Sequence, residues 1–479
     1  MTTAVVSGPA PKDPRAKSPW APGWIEEWNP EDERFWNERG AKIATKNLWV
    51  SIPSLCLSFI VWMMWSAIVV NLNNIGFAFT SAQLFTLTAV PGLAGATLRI
   101  FHSFLVGIFG GRNVTIFNTA SLLIPCLGLG FALRDTTTTF TTFVIIGALC
   151  GFGGGNFASS MSNISTFYPR RKQGAALGLN AALGNLGVSI VQFVIPIVIG
   201  AAVLSSLGGD SLAWNAGKFD ETGRWIVTSA QPVKQMWLQN AALVWVPPIV
   251  LTLLAAIFLM NNLRAATASL SDTLPIFHMK HTWIMTWLYT MTFGSFIGFS
   301  AAFPLTIKVI FGNLPDAPEG LALKFAFLGP LVGSIARAVG GYASDKWGGA
   351  RVTFWNTLVM VASAYGVTFF TSPRDMSTFP MFMGLFLLLF ITTGVGNAST
   401  FRMIGVIRQF TLATRGPVLG WTSAVAAYGA FVIPMVFKSS IEKTASPNPA
   451  IYAFIAYYFV SAGLCWWFYM RRSAEEYGA

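Results

Sequence analysis

The chain has 479 residues, of which 54% are hydrophobic and only 10% are charged, and its formal net charge is +12. Soluble domains carry roughly 25% charged residues, so this composition excludes an ordinary soluble protein and is typical of a protein with many membrane spans. The basic residues lie in the N-terminal tail and in alternate loops, with no basic tract interleaved with aromatic residues. We therefore expect the lipid bilayer as a partner and no binding of nucleic acid.

The N-terminal residues 1–47 are polar and rich in proline and charge, which predicts a cytoplasmic tail without a cleavable signal. Within this tail, Asn29 is a candidate helix N-cap, Pro30 suits the first helical position, and acidic residues fill the first turn. Aromatic residues surround this helix start. They predict a short amphipathic helix that lies on the membrane surface.

A run of about 20 apolar residues spans the hydrocarbon core of a bilayer as a helix. The sequence contains twelve such runs, near 48–71, 82–106, 114–133, 140–164, 174–204, 236–260, 283–308, 324–343, 352–371, 379–400, 417–437 and 451–470. Because Lys and Arg concentrate in alternate loops, the positive-inside rule places both termini in the cytoplasm. We predict an all-α membrane protein with twelve transmembrane helices: a six-helix half at 48–260, a cytoplasmic linker at 261–280, a second half at 281–472 and a cytoplasmic tail at 473–479.

The second half of the chain repeats the first. The segments 99–118 and 337–356 share an arginine, a pair of glycines and a Val-Thr-x-x-Asn run, and matched residues lie 238 positions apart. Each copy places its arginine, Arg99 or Arg337, inside an apolar span that contains no acidic residue. A charge at bilayer depth costs about 2.5–3.5 kcal/mol on insertion scales. Both arginines are therefore candidate functional residues, and the alternative is a structural arginine that pairs with a nearby acid.

Glycine-rich stretches in several spans let helices approach closely and form smooth surfaces on which helices can slide or rock. The glycines in question are Gly174, Gly178, Gly184, Gly187, Gly416 and Gly420. Two asparagines, Asn156 and Asn185, lie within these stretches at membrane depth. Each asparagine either bonds to a neighbouring helix or donates a hydrogen bond to an anion. The four cysteines lie inside predicted spans without a CxxC pair, so we expect no metal site and no cofactor.

Three further side chains have two interpretations each. His102 lies three residues after Arg99 on the same helix face, and it is either a neutral, hydrogen-bonded histidine or a proton carrier. Tyr289 and Phe293 lie four residues apart, and they either pack in the core or line a cavity with a hydroxyl and a ring. No Asp or Glu lies at mid-depth in any predicted span, so His102 is the sole candidate proton carrier.

The stretch 340–351, GGYASDKWGGAR, resembles the loop signature of the major facilitator superfamily. Its signature residues are Asp345, Gly348 and Arg351, and the first copy of this loop has Gly107 where Asp345 stands. The resemblance implies two six-helix halves with a binding site between them.

A more specific resemblance is to the NarK-type nitrate/nitrite porters, carried by the segments 156–164 (NFASSMSNI), 172–180 (KQGAALGLN) and 292–300 (TFGSFIGFS). It extends over nearly the whole chain and implies a transporter of nitrate and nitrite in the bacterial inner membrane. Arg402 stands where these porters have an uncharged polar residue, and the link between the tenth and eleventh spans is shorter than in the best-known members. Both departures concern the cytoplasmic gate.

The resemblance also implies a role for six residues. Arg99 and Arg337 would hold the anion, Tyr289 and Asn185 would hydrogen-bond it, and Phe157 and Phe293 would pack on its faces. The chemistry of the residue types agrees with these roles. A guanidinium is planar and forked and so grips a planar oxyanion through two parallel hydrogen bonds. Flat aromatic walls fit a trigonal ion and would clash with tetrahedral sulfate or phosphate.

Two guanidinium groups about 7 Å apart repel by roughly 2–2.5 kcal/mol at an effective dielectric of about 20. An anion between them offsets this repulsion, so we expect the loaded carrier to close and the empty one to resist closing, which gives nitrate/nitrite antiport. The first alternative is proton-coupled nitrate symport with His102 as the proton carrier. The second, less favoured alternative is a facilitator that transports another organic anion. We expect no enzymatic activity, because clustered acids and a nucleophile–base pair are lacking. We also expect a monomer, although the glycine-rich spans fit a dimer equally well.

Overall fold

The computed structural model describes residues 23–220, 222–264, 274–410 and 412–479. Within these residues, twelve helical segments are long and apolar enough to cross a membrane, which confirms the all-α fold. In chain order they are α1 (Glu33–Ile75), α2 (Ser81–Phe109), α3 (Gly111–Ala132), α4 (Phe140–Phe167), α5 (Arg170–Val198), α6 (Asn240–Leu259), α7 (Lys280–Phe311), α8 (Leu321–Trp347), α9 (Gly349–Phe370), α10 (Met376–Val406), α11 (Leu412–Ala427 and Gly429–Thr444) and α12 (Asn448–Met470).

Short strands connect segments that lie outside the spans. Their pairs are β1 (Gly23–Ile25) parallel to β6 (Asn261–Leu263), β2 (Leu212–Trp214) antiparallel to β5 (Lys234–Met236), and β3 (Gly217–Phe219) antiparallel to β4 (Trp225–Val227). In the long α5–α6 connection, the β3–β4 hairpin lies within the loop that the β2–β5 pair closes, and Trp214 and Phe219 are buried.

The first helix begins earlier than its hydropathy indicates. It starts at Glu33 rather than near residue 48, and its N-cap is Asp32 rather than Asn29. The Asp32 carboxylate accepts hydrogen bonds from the backbone N–H groups of Arg34 and Phe35 at 2.8 and 3.2 Å. Asp32 satisfies the orphan donors of the first turn, which is what an N-cap does.

The aromatic start of α1 packs against protein rather than on the expected membrane surface. Trp36 is buried, and the Trp28 indole donates to the backbone carbonyl of Thr166 at the end of α4, at 3.1 Å. Trp28 also meets Phe167 edge to face, with ring centroids 5.4 Å apart. An amphipathic pattern identifies an apolar face, but it does not tell whether lipid or protein covers that face.

The internal repeat has a counterpart in backbone geometry. Gly110 ends α2 at φ 82° and ψ 145°, and Gly348 ends α8 at φ 87° and ψ 140°. These glycines are 238 residues apart in the sequence. A positive φ is accessible to glycine without steric cost, so both halves use glycine for the same turn into their next helix.

We call the face that carries Glu33 and Met470 the terminal face, and the other side the opposite face. Within the described residues, hydrogen bonds between spans of the two halves lie at the level of Arg99 or nearer the opposite face. Thr97 and Tyr428 share a hydroxyl hydrogen bond of 2.9 Å, and the Gln192 amide donates to the Ser300 carbonyl at 2.8 Å.

Close packing of the backbones of the two halves also lies toward the opposite face rather than the terminal face. A Cβ on Gly92 of α2 would stand 2.4 Å from the carbonyl carbon of Ala430 in α11, so only glycine permits this approach of the two halves. Gly174 and Gly178, at the terminal-face end of α5, are exposed and have open space at their Cβ positions. The halves therefore pack together toward the opposite face, while the face of α5 that carries Gly174 and Gly178 is uncovered at the terminal face.

The last residues of the chain pack against the second half at the terminal face. Glu475 pairs with Lys280 at the start of α7 at 2.7 Å, and a Glu476 carboxylate oxygen accepts from the Arg408 backbone N–H at 3.1 Å. The Ala350 N–H, in the first turn of α9, donates to the Ala479 carbonyl at 2.6 Å. This tail joins α7, α9 and the α10–α11 loop.

Candidate functional site

Arg99 lies fully buried in α2 and bonds to both halves of the protein. Its Nε donates to the Gly154 carbonyl of α4 at 2.8 Å, and its Nη1 donates to the Ser423 carbonyl of α11 at 3.2 Å. Its Nη2 has no hydrogen-bond partner among the described residues. No ion pair joins Arg99 to an acid in this part of the chain, so the alternative of a structural arginine paired with an acid finds no support.

Aromatic rings surround the Arg99 guanidinium. Its Cζ lies 4.8 Å from the ring centroid of Phe157, 5.6 Å from that of Phe293 and 5.1 Å from that of Trp62. Phe157 belongs to the first half and Phe293 to the second, and their rings are nearly parallel, at 25° with centroids 6.3 Å apart. Desolvated contacts of a cation with ring faces contribute about 2 kcal/mol. The rings therefore help to hold a charge that pairs with no acid in the described parts of the chain.

Tyr289 extends this aromatic stack. Its ring lies 5.5 Å from that of Phe293 at an angle of 7°, and both side chains are fully buried. A π-helical turn at Thr290–Gly294 begins directly after Tyr289 and contains Phe293, and such turns are frequent at functional sites. The Tyr289 hydroxyl lies close to the Arg337 guanidinium and within electrostatic range of Arg99, and no acceptor for its proton is present among the described residues.

Arg337 lies in α8, half-buried, with its Nη1 buried and unpartnered among the described residues. Its Cζ lies 5.3 Å from the ring centroid of Phe401, and that ring lies 4.7 Å from Tyr289. Sequence reasoning missed Phe401 and gave Trp62 no role. The internal repeat could not identify Phe401, because at the 238-residue offset Phe157 corresponds to Val395.

Three buried donors that lack acceptors in the described part of the chain therefore lie around the aromatic stack: Nη2 of Arg99, Nη1 of Arg337 and the Tyr289 hydroxyl. A buried polar group left unsatisfied costs about 1–3 kcal/mol, and more when it is charged. An oxyanion supplies acceptors and negative charge together. The arrangement can therefore bind an anion that accepts several hydrogen bonds.

The two asparagines differ in their partners. Asn156 is held by a network in which its Oδ1 accepts from Asn118 at 2.9 Å and its Nδ2 donates to Ser58 at 2.8 Å. Asn156 thus bonds to neighbouring helices, as one of its two interpretations stated. Asn185 is buried, and its Oδ1 is unpartnered among the described residues. Within them no hydrogen bond joins Asn185 to Arg99, Arg337 or Tyr289, so its contact with substrate stays a prediction.

His102 lies buried one turn after Arg99, with its Nδ1 unpartnered among the described residues. The ring packs on Gly155, where a Cβ would stand 2.8 Å from Nδ1. The imidazole is therefore enclosed by backbone rather than open to solvent.

The remaining signature residues shape the protein around the site. Gly187 packs on α1, where a Cβ would stand 2.3 Å from the Cys56 carbonyl oxygen, and Gly184 packs on Leu55 of the same helix. Gly416 and Gly420 lie in the first segment of α11.

In the loop signature, Gly348 provides the turn before α9 and Arg351 is exposed. Asp345 accepts a hydrogen bond from Arg402 Nε of α10 at 3.0 Å. The unusual arginine of α10 thus pairs with the signature acid of the loop, at the terminal face.

Comparison with known proteins adds independent findings. The family model of the Major Facilitator Superfamily matches residues 52–434. The chain is 44% identical over 472 residues to the nitrate/nitrite transporter NarU of Escherichia coli (strain K12), covering 94% of this chain and 97% of that protein. It is also 44% identical over 455 residues to the probable nitrate/nitrite antiporter NarK2 of Thermus thermophilus, covering 95% and 98% of the two chains.

Two solved structures have a similar fold. A D-xylose-proton symporter aligns with a TM-score of 0.62 at 15% identity, covering 88% of this chain and 97% of that one. A bacterial homologue of the human lysosomal transporter Spinster, inward-facing and unoccupied, aligns with a TM-score of 0.63 at 13% identity, covering 88% and 96%. At this identity the likeness shows the fold alone.

The fold is thus one that membrane transporters use. The chain belongs to the major facilitator superfamily and, within it, to the NarK-type nitrate/nitrite porters. It is a multi-pass protein of the inner membrane.

Proposed function

We propose that this protein carries nitrate and nitrite across the inner membrane by alternating access, with the anion held between Arg99 and Arg337. It acts as a carrier rather than an enzyme, and as a monomer. The relatives named above as nitrate/nitrite transporters support the substrate. Three of the predicted substrate residues, Arg99, Arg337 and Tyr289, have unpartnered buried donors at the interface of the halves, and this observation carries the proposal.

The aromatic pair supports a planar substrate. A flat ion between parallel rings needs a contact of about 3.5–4 Å to each ring, and so a spacing of about 7–8 Å. Phe157 and Phe293 lie 6.3 Å apart between centroids, so a small outward movement of one half admits nitrate or nitrite. A tetrahedral oxyanion needs a wider gap and gains less from flat walls.

The charges and positions of Arg99 and Arg337 support exchange of one anion for another, rather than return of the carrier without an anion. Arg99 reaches across to Ser423 of the second half, and Arg337 approaches the same aromatic stack from that half. Closing the halves without an anion brings two permanent cations together, which costs roughly 2–2.5 kcal/mol at about 7 Å. An anion removes this cost, so loaded carriers change conformation faster than empty ones.

The terminal face is the cytoplasmic face in this proposal, since basic residues concentrate in the loops on that side. The packing toward the opposite face and the exposed glycines Gly174 and Gly178 then correspond to a state open to the cytoplasm. Arg402 and Asp345 lie at the cytoplasmic side and belong to its gate.

Counterflow in proteoliposomes tests the proposal. Nitrite is loaded inside, nitrate is added outside, and entry is measured with and without a pH gradient. We expect nitrate entry to require internal nitrite and to be independent of the pH gradient. Gradient-driven entry into vesicles without internal anion would instead establish proton symport. The buried His102 beside Arg99 is the residue that favours this second candidate.

A further inference from the structure

A lysine joins the two halves at the opposite face. Lys308, near the end of α7, donates from Nζ to the Val70 carbonyl and to the Asn74 amide oxygen, the latter at 2.8 Å. Both acceptors lie at the end of α1, in the other half. The α1 and α7 ends are matched by the internal repeat, because Val70 and Lys308 lie 238 residues apart. The closed state thus places this lysine on the seam between the halves.

The described surroundings of Lys308 are aromatic and uncharged. Its Nζ lies 4.4 Å from the ring centroid of Trp225 and 5.9 Å from that of Phe219, both in the hairpin that covers this face. Among the described residues, no carboxylate lies within ion-pair distance of it. Within the described residues, neutral oxygens and aromatic rings therefore hold the ammonium charge.

A second lysine of the same half has the same arrangement. Lys438 of α11 donates from Nζ to the Thr86 hydroxyl of α2 at 3.2 Å. It also bridges the halves toward the opposite face, again through a neutral oxygen. Two cations therefore lie along one seam, and each depends on acceptors from the other half.

Opening the opposite face must separate these partners. When α1 and α7 move apart, Lys308 loses the Val70 and Asn74 oxygens together and its charge faces the new opening. An anion is the ligand that replaces neutral oxygens on an ammonium with a net gain in free energy. A cationic mouth also raises the local concentration of anions and their rate of entry.

We propose that Lys308 forms an anion-capture site at the opposite face. In the state open to that face, a small oxyanion takes the place of the Val70 and Asn74 oxygens on Lys308 before it reaches Arg99 and Arg337. In the closed state the same lysine holds the two halves together through its hydrogen bonds to Val70 and Asn74. This inference rests on the proposed function only for the identity of the anion.

Sided transport kinetics test the capture site. Nitrate is varied at one face at a time in proteoliposomes of defined orientation, using the full chain and the variants Lys308→Met and Lys308→Arg. We expect Lys308→Met to raise KM at the opposite face by about tenfold, in the range that electrostatic focusing provides. KM at the terminal face should stay within about twofold, and Lys308→Arg should restore the opposite-face value.

The matched control is Lys324→Met, which removes an exposed lysine from the first turn of α8 near the same face. We expect it to leave both KM values unchanged, since the Lys324 side chain is exposed rather than buried between the halves. An equal rise of KM at both faces in Lys308→Met would overturn the proposal, as would a folded Lys308→Arg protein that does not recover. Melting temperatures identify unfolded variants, and Lys308→Gln then replaces Lys308→Met. Failure of the proposed function is distinct, because it would show as no nitrate counterflow in the wild type.

Discussion

Replacing Arg99 with lysine keeps the buried charge and removes the planar fork. In the structure, Nε and Nη1 are committed to the carbonyls of Gly154 and Ser423, and Nη2 is free for an anion. A lysine has a single nitrogen, which cannot satisfy two carbonyls on different helices and also hold substrate. We therefore expect the loss of one charge-assisted hydrogen bond to the anion, about 1.5–3 kcal/mol. This corresponds to roughly 10- to 150-fold weaker binding of nitrate.

Isothermal titration of nitrate into the purified protein measures this change directly, and counterflow measures its effect on transport. Arg374→Lys is the matched control, because Arg374 is exposed in the α9–α10 loop. The melting temperature of each variant separates loss of binding from loss of fold. Wild-type affinity in a folded Arg99→Lys protein would refute the role of the guanidinium fork.

Three further substitutions test the neighbouring side chains. Tyr289→Phe keeps the ring stacked on Phe293 and removes the hydroxyl, so we expect nitrate affinity to fall roughly 2- to 13-fold, as loss of one neutral hydrogen bond predicts; unchanged affinity in the same titration would exclude the hydroxyl as a donor. Phe157→Ala opens one wall, so competition assays should show weaker discrimination against sulfate and other bulkier anions, whereas intact selectivity would argue against the ring wall. His102→Gln should leave nitrate/nitrite counterflow intact, and abolished uptake together with lost pH-gradient dependence would instead assign His102 to proton coupling.

The sequence predicted those residues of the candidate site that a pattern within a single helix identifies. Arg99 and Arg337 are charges within apolar spans, which any reading of the sequence detects. The spacing of Tyr289 and Phe293 indicated a shared helix face, and the structure stacks their rings 5.5 Å apart. These patterns can be recognised without the tertiary structure, because hydropathy and helical periodicity are local properties of the chain.

Other residues were not predictable in this way, because their roles depend on distant partners. The Phe401 ring contacts the Arg337 guanidinium, although Phe401 lies 64 residues later in the sequence and in a different helix. The internal repeat indicated a different residue. Asn156 had two equal interpretations until its partners Asn118 and Ser58 were placed beside it. Arg402 looked anomalous in sequence, but it pairs with Asp345 across the terminal face.

The sequence by itself determined the class of this protein: twelve apolar spans, a duplicated half and two arginines at membrane depth. These features follow from the cost of placing polar groups in hydrocarbon, which each segment experiences separately. Only the tertiary structure decided which face is closed, that Arg99 bonds to both halves, and that Lys308 lies on their seam. Those facts arise from packing between the two halves, and no local pattern in either half records them.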